Sequence, residues 1–319
     1  MKRESNLILY GALLANFGIA AAKFVAAAMT GSSAMLTEGF HSVVDGFNEI
    51  LLLYGKHRAA RPADAEHPFG YGRELYFWSL VVALLIFAVG AGFSIYEGVR
   101  HVMDPEPVRD PTINYIVLGA ALLMEGASWR LAVRGVRADK GSASWWQAIS
   151  QTRNPPDIIV LLEDSAALLG IAIAATGIAL SQVTGNGMWD GAASIGVGCV
   201  LALVAVLLAR LSKQLLIGER PDPAMEADIR RELLAQPGVV AINHLRAIHS
   251  GPHHVLVAMS VDFDDAMTVG ELERELTQTR LRLVQRWPDI TSLYIRPENG
   301  ATAQAPGTAG IPASPRVAG

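Results

Sequence analysis

Two long apolar stretches without a single charged residue most constrain the fold of this 319-residue chain. Leu75–Ile95 is 21 residues long, and Gly191–Leu208 is a second uncharged run of similar character. A helix needs about 20 apolar residues to cross a bilayer. Four comparable runs carry a few charged residues: Leu7–Met29, Ala34–Tyr54, Ile113–Val133 and Ile158–Val183. The sequence therefore predicts an α-helical membrane protein with six transmembrane helices.

The distribution of Lys and Arg predicts the orientation of these helices. Basic residues concentrate at the N-terminus, in the second and fourth connections and after the sixth span, and short basic connections mark the cytoplasmic side. Both termini are therefore predicted to be cytoplasmic. The first span has no small-residue cleavage site after it, so we interpret it as a retained helix, and a bacterial cytoplasmic (inner) membrane is the expected location.

The composition changes abruptly after Gly218. The residues that follow predict a helix at 224–236, strands at 239–248 and 254–263, a helix at 269–287 and a strand at 290–297. This αββαβ order indicates a small cytoplasmic α+β domain of ferredoxin-like or metallochaperone-like type. The predicted organisation is a six-helix transport domain at 1–218, a cytoplasmic dimerisation domain at 219–298 and a disordered tail at 299–319, which is rich in Ala, Gly, Pro and Thr.

The second span carries ionisable and amide side chains inside an apolar run. On a helical wheel they share an arc of about 100°. The residues are Glu38, His41, Asp45, Asn48 and Glu49. A charged carboxylate facing lipid near the bilayer centre costs at least roughly 2.5 kcal/mol, so this face must look into the bundle or into a water-filled cavity. One interpretation is a hydrated crevice or pairing with cations such as Lys23.

A metal site is the sharper interpretation. His41 and Asp45 lie one turn apart, and they offer one nitrogen and one anionic oxygen, which suit a borderline divalent ion such as zinc. In the fifth span Asp164 lies in the middle of the apolar run beside Glu163. Adjacent helical residues diverge by about 100°, so both cannot point inward equally. We predict Asp164 as a ligand and Glu163 as a fourth ligand or as a base just outside the ligands.

These motifs together resemble the cation diffusion facilitator family over nearly the whole chain, up to about Pro297. The connection PADAEHPFGYGRE at 62–74 is similar to the family's loop between the second and third helices. The stretch VVAINHLRAIHSGPHH at 239–254 is similar to its first cytoplasmic strand and following turn. The stretch LLEDSAALLG at 161–170 resembles the branch typified by zinc transporter nine.

The resemblance implies a homodimeric exporter of divalent transition metals that exchanges metal for protons by alternating access. The metal and the protons are then transported species, and no separate cofactor or enzymatic activity is expected. Carried onto this chain, the transport site is His41, Asp45 and Asp164. Many relatives have His or Asp four residues before the last of these, where this chain has Val160. The fourth ligand is then Glu163, water or a backbone group.

The accessory metal sites of the family are only partly represented. In the loop, Asp64 and His67 match possible ligands, but Tyr71 stands where some relatives have a histidine. In the cytoplasmic domain three residues occupy positions that are histidines in some zinc-binding relatives: Asn243, Met259 and Arg296. The last of these would repel a cation. Four histidines surround the strand connection, and we interpret them as solvated turn residues, with a regulatory metal site as the alternative: His244, His249, His253 and His254.

Other functional classes remain open at this stage. Zinc leads among the transported ions, followed by manganese, iron, cobalt and cadmium, and the oxygen-rich ligand set suits manganese as well. An intramembrane metalloenzyme could use the same ligands, but no HExxH motif accompanies them. A metal sensor without transport is a third possibility. The formal net charge of −4 gives no indication of nucleic-acid binding, and the single Cys199 excludes an intramolecular disulfide.

Overall fold

The computed structural model describes most of the chain, and its contacts divide the chain into two compact units. One unit comprises Met1–Ala60 and Glu74–Lys213, and the other comprises Arg61–Arg73 and the chain from Gln214 onward. The described residues are 2–106, 108–141, 144–150 and 155–300. The loop after the second helix therefore belongs by its contacts to the same unit as the C-terminal domain.

All regular secondary structure described in the first unit is helical. A π-helical segment at Ile86–Ala91 joins two of its helices into one continuous rod from Glu74 to Met103. The helices are α1 (Lys2–Thr30), α2 (Ser33–Ala59), α3 (Glu74–Leu85), α4 (Gly92–Met103), α5 (Thr112–Lys140), α6 (Trp145–Ser150), α7 (Pro155–Thr184) and α8 (Met188–Ile217).

Four helical stretches of the described chain are long and apolar enough to cross a membrane. They are Glu74–Met103, Thr112–Ala138, Pro155–Thr184 and Met188–Ile217. In α1 the apolar helical stretch counted among the described residues is the shorter Asn16–Thr30. In α2 the acidic residues at positions 38, 45 and 49 interrupt the apolar run. The predicted count of six spans is thus not confirmed by length and composition and stays a prediction.

The helices that carry the predicted ligands lie at the centre of this unit. Helix α2 packs against α1, α3 and α7, and α7 packs against α5. A buried apolar cluster surrounds the contact, with Val44 from α2, Ile159 and Ala166 from α7 and Leu201 from α8. Ser32 caps the N-terminus of α2, because its side chain accepts a hydrogen bond from the Met35 amide. The polar face of α2 is therefore held inside a packed bundle.

The second unit contains the predicted αββαβ order, which is confirmed. Strand β1 pairs with β2 in antiparallel fashion, and β2 pairs with β3 in parallel fashion, so the sheet order is β1-β2-β3. A parallel pair needs a crossover connection, and a helix provides it here. The elements are α9 (Pro223–Leu234), β1 (Val239–Gly251), β2 (His254–Phe263), α10 (Val269–Arg286) and β3 (Ile290–Pro297).

Local signals explain where the helices of this unit begin. The Asp222 side chain accepts from the Ala224 amide at the start of α9, and Thr268 and Glu271 form a reciprocal capping box at the start of α10. The core between sheet and helices includes Ile229 and Val257, both fully buried. Of the predicted disordered tail at 299–319, residues 301–319 lie outside the described residues.

Candidate metal-transport site

The polar face of α2 meets α7 at two levels. At one level a Cβ atom added to Gly170 would lie 2.5 Å from Glu38 Oε1, so the glycine allows this carboxylate to approach α7. At the other level Asn48 Nδ2 donates a 2.7 Å hydrogen bond to Glu163 Oε1. The residues between positions 38 and 48 of α2 therefore lie opposite the residues between 163 and 170 of α7.

His41 and Asp45 lie between these two contacts. His41 is buried, and its Nδ1 atom lies 3.3 Å from Asp45 Oδ1. His41 Nε2 and Asp45 Oδ1 are both buried without a hydrogen-bond partner among the described residues. Since buried polar atoms are nearly always hydrogen-bonded, two such atoms on ligand-type side chains need an explanation, and a cation would supply one.

Asp164 and Glu163 lie on α7 on the opposite side of this region. Both are largely buried, and both interact electrostatically with the Asp45 carboxylate. Asp164 Oδ2 has no hydrogen-bond partner in the described part of the chain. The α7 acidic pair therefore lies within electrostatic range of Asp45, and a metal site shared by the two helices stays a prediction.

The predicted ligands do not yet form a closed coordination shell in this conformation. Across residues 2–300, apart from the undescribed positions, no three His, Cys, Asp or Glu side chains lie close enough together to hold a metal ion. Binding by His41, Asp45 and Asp164 together would require side-chain movement. The ligand set thus stays a prediction.

Glu38 has a different environment from the rest of the polar face. Lys23 Nζ of α1 donates to Glu38 Oε2 at 2.9 Å and to Ser42 Oγ at 2.8 Å, and Lys23 and Glu38 are completely buried. Pairing with Lys23, the alternative raised by the sequence, therefore accounts for one oxygen of Glu38, while its Oε1 atom has no hydrogen-bond partner among the described residues. It leaves His41 and Asp45 unexplained, since neither has a hydrogen bond to this lysine among the described contacts.

Two family profiles match the chain almost end to end. The profile described as the cation efflux transmembrane domain matches residues 9–217, and that described as the cation efflux protein cytoplasmic domain matches residues 221–299. The first match alone covers more than half of the chain. The chain belongs to the cation efflux family. The resemblance to cation diffusion facilitators seen in the sequence is confirmed, and so is the relation to the branch of zinc transporter nine.

Curated relatives of this cation efflux protein include the mitochondrial proton-coupled zinc antiporter SLC30A9 of Xenopus laevis, which is 32% identical over 280 residues, covering 86% of this chain and 50% of that protein. The human SLC30A9 protein is 34% identical over 266 residues, covering 82% of this chain and 47% of that protein. Metal tolerance protein C4 of Arabidopsis thaliana is 32% identical over 271 residues, covering 84% and 59%. The chain thus spans about half the length of the first two relatives.

A solved domain structure is similar to about a quarter of the chain. A nickel form of a MamM C-terminal domain is similar at 23% identity with a TM-score of 0.23, covering 24% of this chain and 98% of that one.

Membership of the cation efflux family makes the protein an integral membrane protein of a transporter family, not of an enzyme family.

In the loop at 62–74 of this cation efflux protein, Asp64 is hydrogen-bonded to other residues of the same loop. Asp64 Oδ1 accepts hydrogen bonds from the backbone amides of Glu66 and His67, and Oδ2 accepts from the Tyr71 hydroxyl at 2.6 Å. The His67 ring packs on the Tyr71 ring with centroids 4.2 Å apart. The Tyr71 hydroxyl and the two amides hold the pKa of Asp64 below its usual range. The phenol thus takes the position where the sequence expects a third metal ligand.

The positions of the C-terminal domain that are histidines in some relatives make hydrogen bonds or core contacts within that domain. Asn243 Nδ2 donates to the Glu298 carbonyl at 2.7 Å, and the Arg296 guanidinium and the Ser260 hydroxyl both donate to the Glu298 carboxylate. These donors lower the pKa of Glu298. Met259 is buried in the apolar core. A guanidinium therefore neutralises the carboxylate at this place in the domain.

Sequence reasoning missed two features of the first unit. Asn48 was recognised as part of the polar face, but nothing in the sequence identified Glu163, 115 positions away, as its partner. The pairing of Ser32 with Asp190, 158 positions apart, was also unforeseen. The one sequence signal for the Ser32–Asp190 pairing was the position of Asp190 in the first turn of the apolar helix α8.

Proposed function

We propose that this protein exports a divalent transition-metal ion, zinc in preference to others, across a membrane in exchange for protons. The observation that carries the proposal is the His41–Asp45 pair, which lies between two helix contacts and within electrostatic range of the acidic pair of α7. Family membership supports it, and so do the relatives named as proton-coupled zinc antiporters.

The donor set suits this class of ion. One imidazole nitrogen with carboxylate oxygens is a typical borderline ligand set, which zinc accepts in tetrahedral geometry. We assign His41, Asp45 and Asp164 as ligands. Glu163 is the fourth, because Asn48 occupies its Oε1 atom and thereby orients the carboxylate. Val160 has no donor atom and packs as an apolar residue of the helix.

The same atoms explain exchange for protons. A metal ion needs a neutral imidazole and ionised carboxylates, so protons compete with it for His41, Asp45 and Asp164. When the site opens toward the side of high proton concentration, protons displace the metal. When it opens toward the cytoplasm, loss of those protons restores metal affinity. Alternating access then couples the two flows without any covalent step.

The cytoplasmic domain and the membrane complete the proposal. We infer that the αββαβ domain joins two copies of the chain into a homodimer, since the matched cytoplasmic profile is that of the family's dimerisation domain. The distribution of basic residues supports cytoplasmic termini. The expected location is a bacterial inner membrane. In the loop, Asp64 and His67 are at most a weak accessory site, because Tyr71 occupies one carboxylate oxygen.

Flux through reconstituted protein tests the function. Purified protein in sealed liposomes should take up zinc when the lumen is acidic, and uptake should fall when an ionophore removes the pH gradient. Parallel assays with manganese, iron, cobalt and cadmium rank the ions. Uptake that ignores an imposed pH gradient would disprove proton coupling, and the absence of flux despite tight metal binding would favour a sensor.

A further inference from the structure

A second buried polar cluster lies at the other end of the helical unit, far along α2 from Asn48. Asp190, in the first turn of α8, is fully buried. Its Oδ1 atom accepts from the Ser32 hydroxyl at 2.7 Å, and its Oδ2 atom accepts from the Ala34 amide at 3.2 Å. One carboxylate therefore holds the N-terminal turn of the helix that carries His41 and Asp45.

His101 of α4 faces the same carboxylate. Its Nε2 atom lies 3.8 Å from Asp190 Oδ2, which is too long for a hydrogen bond. The ring is 7% exposed, and Nε2 has no hydrogen-bond partner among the described residues. The histidine is therefore aimed at Asp190 without being bonded to it.

The crossing of α4 and α8 fixes this distance. A Cβ atom added to Gly98 would lie 2.7 Å from the Gly191 carbonyl oxygen, and one added to Gly191 would lie 3.0 Å from the Gly98 carbonyl oxygen. The two backbones are thus in direct contact one turn from His101 and next to Asp190. Because neither glycine leaves room for a side chain, the helices cannot slide together to shorten the gap.

A cavity of about 310 Å³ borders His101, whose side chain lies in its lining. Among the described residues, the charged groups that line this cavity are Glu97 and Arg100 on α4, Asp104 at its end, and Glu106 in the following connection. Glu97 accepts from Arg100 at 3.0 Å and is thereby neutralised. The lining from α1 and α2 consists of apolar residues, a glycine and serines. His101 supplies the imidazole of this lining, and an imidazole can accept a proton and then act as a charged donor.

We propose that His101 and Asp190 form a proton-binding pair at the predicted non-cytoplasmic mouth of the protein and that a proton bound there loosens the N-terminus of α2. The inference rests on the proposed metal–proton exchange, and it assigns a proton site separate from the metal ligands. The ligand is a proton from the non-cytoplasmic solution.

In the proposed mechanism, protonated His101 and the Ala34 amide compete as donors to Asp190 Oδ2. Protonated imidazole has an N–H on both nitrogens, so Nε2 becomes a charged donor facing Oδ2 whichever tautomer precedes it. Charge-assisted N–H···O bonds shorten to about 2.7–2.9 Å, and this contraction draws Oδ2 away from the Ala34 amide. Helix α2 then loses an acceptor at its positive end, where a carboxylate is stabilising. Position 41 lies about two and a half turns along the same helix.

Two substitutions at position 101 separate the two charge states. His101→Gln keeps a polar side chain that is always neutral, and His101→Arg is always charged. Metal added outside liposomes is taken up by molecules whose cytoplasmic side faces outward, so the luminal pH sets the pH at His101. Wild-type zinc uptake should rise as luminal pH falls from about 8 to about 5. In both variants we expect this rise to shrink by about threefold, with the Arg variant the faster of the two at high luminal pH.

A control variant and a variant of Asp190 complete the experiment. His253→Gln, at an exposed position of the cytoplasmic unit, should leave the luminal pH profile unchanged. Asp190→Asn removes the negative charge of the acceptor and should also flatten the luminal pH profile. It therefore tests the pair even if a position 101 variant fails to fold. Wild-type protein that transports zinc, combined with unchanged profiles in all three variants, overturns the pair while leaving the proposed function intact. Loss of all flux in both folded position 101 variants also overturns it, because the permanently charged Arg variant should still transport zinc. Absence of wild-type flux instead defeats the proposed function.

Discussion

Asn48 of α2 donates its amide hydrogen to Glu163 of α7 over 2.7 Å, and it does so inside the helical bundle. The amide oxygen of the same asparagine has no hydrogen-bond partner among the described residues. The bond therefore connects the two helices that carry the predicted metal ligands, at a level just past Asp45. Any rotation of α2 against α7 must break this bond or carry both side chains along.

The first prediction concerns this bond. Glu163→Gln keeps an acceptor for Asn48 but removes the negative charge, and Asn48→Ala keeps the charge but removes its orientation. Groups that orient metal ligands typically contribute about 10–100-fold to affinity. We expect Asn48→Ala to weaken zinc binding by that factor, and Glu163→Gln, which removes a proposed ligand, to weaken it by at least as much, measured by isothermal titration calorimetry on purified protein in detergent.

A double-mutant cycle provides the control. If Asn48 acts through Glu163, the double variant should bind zinc no more weakly than Glu163→Gln alone, because the two effects are coupled. Fully additive losses would show that Asn48 acts elsewhere. Unchanged affinity in Glu163→Gln would remove Glu163 from the ligand set.

The second prediction separates transport from folding. Asp45→Asn and Asp164→Asn should each abolish zinc uptake into liposomes, because each removes a predicted ligand. The thermal midpoint in detergent should stay the same or rise, since an uncompensated buried charge is itself costly. Asp265→Asn, an exposed acidic residue of the cytoplasmic unit, serves as the matched control for both assays. Substantial uptake by either membrane variant would contradict the proposed site.

The cytoplasmic domain could be predicted closely because its signals are local. Alternating apolar residues in β1 and β2, the Thr268–Glu271 capping box and the amphipathic α10 each act within a few residues. The membrane unit was less predictable. A run of apolar residues predicts a helix but not its internal geometry, so the π-helical segment at Ile86–Ala91 has no sequence signal that we can name.

The candidate site shows the same limit. The spacing of His41 and Asp45 fixes their common face, since helical geometry alone determines it. The partners of that face depend on which helices pack together, and so neither the Glu38–Gly170 contact nor the Asn48–Glu163 bond follows from the sequence. Tyr71 is a comparable case. The sequence shows a missing histidine, but only the structure shows its hydroxyl bonded to Asp64.

The third prediction concerns Gly170, which faces Glu38. An added methyl group would lie 2.5 Å from Glu38 Oε1, and that carboxylate is fully buried and bonded to Lys23. Gly170→Ala should therefore lower the free energy of unfolding by about 1–3 kcal/mol, as overpacking does. Intrinsic tryptophan fluorescence during thermal unfolding in detergent measures the loss.

Gly126 provides the matched comparison on α5. A methyl group there would have no neighbour within 4 Å, so Gly126→Ala should be neutral or stabilising by about 1 kcal/mol from helix propensity alone. If both alanine variants unfold alike, the contact between α2 and α7 at this level is looser than the structure shows.

The fourth prediction follows from the pKa of Asp64. The Tyr71 hydroxyl is the main cause that holds this pKa down, so Tyr71→Phe should let the pKa of Asp64 rise toward its ordinary value. A carboxyl with a depressed folded pKa contributes stability above its unfolded pKa, and that contribution disappears as pH falls through the folded pKa. The loop of the wild type should therefore stay ordered to lower pH than that of the variant. A carboxyl-carbon NMR titration with selectively labelled aspartate measures it, and identical curves would contradict the bond.

The last prediction tests whether Tyr71 replaces a metal ligand in the loop. Tyr71→His would release Asp64 Oδ2 and add an imidazole beside His67, whose ring already packs on position 71. The loop would then offer two nitrogens and a carboxylate, which suit zinc. We expect at least about a tenfold gain in zinc affinity at this site, measured by titration in an Asp45→Asn background so that the transport site does not contribute. Tyr71→Phe frees the same carboxylate without adding a ligand, so it should show no comparable gain. Equal affinity in the histidine and phenylalanine variants would mean that the backbone of the loop, and not the tyrosine, prevents metal binding there.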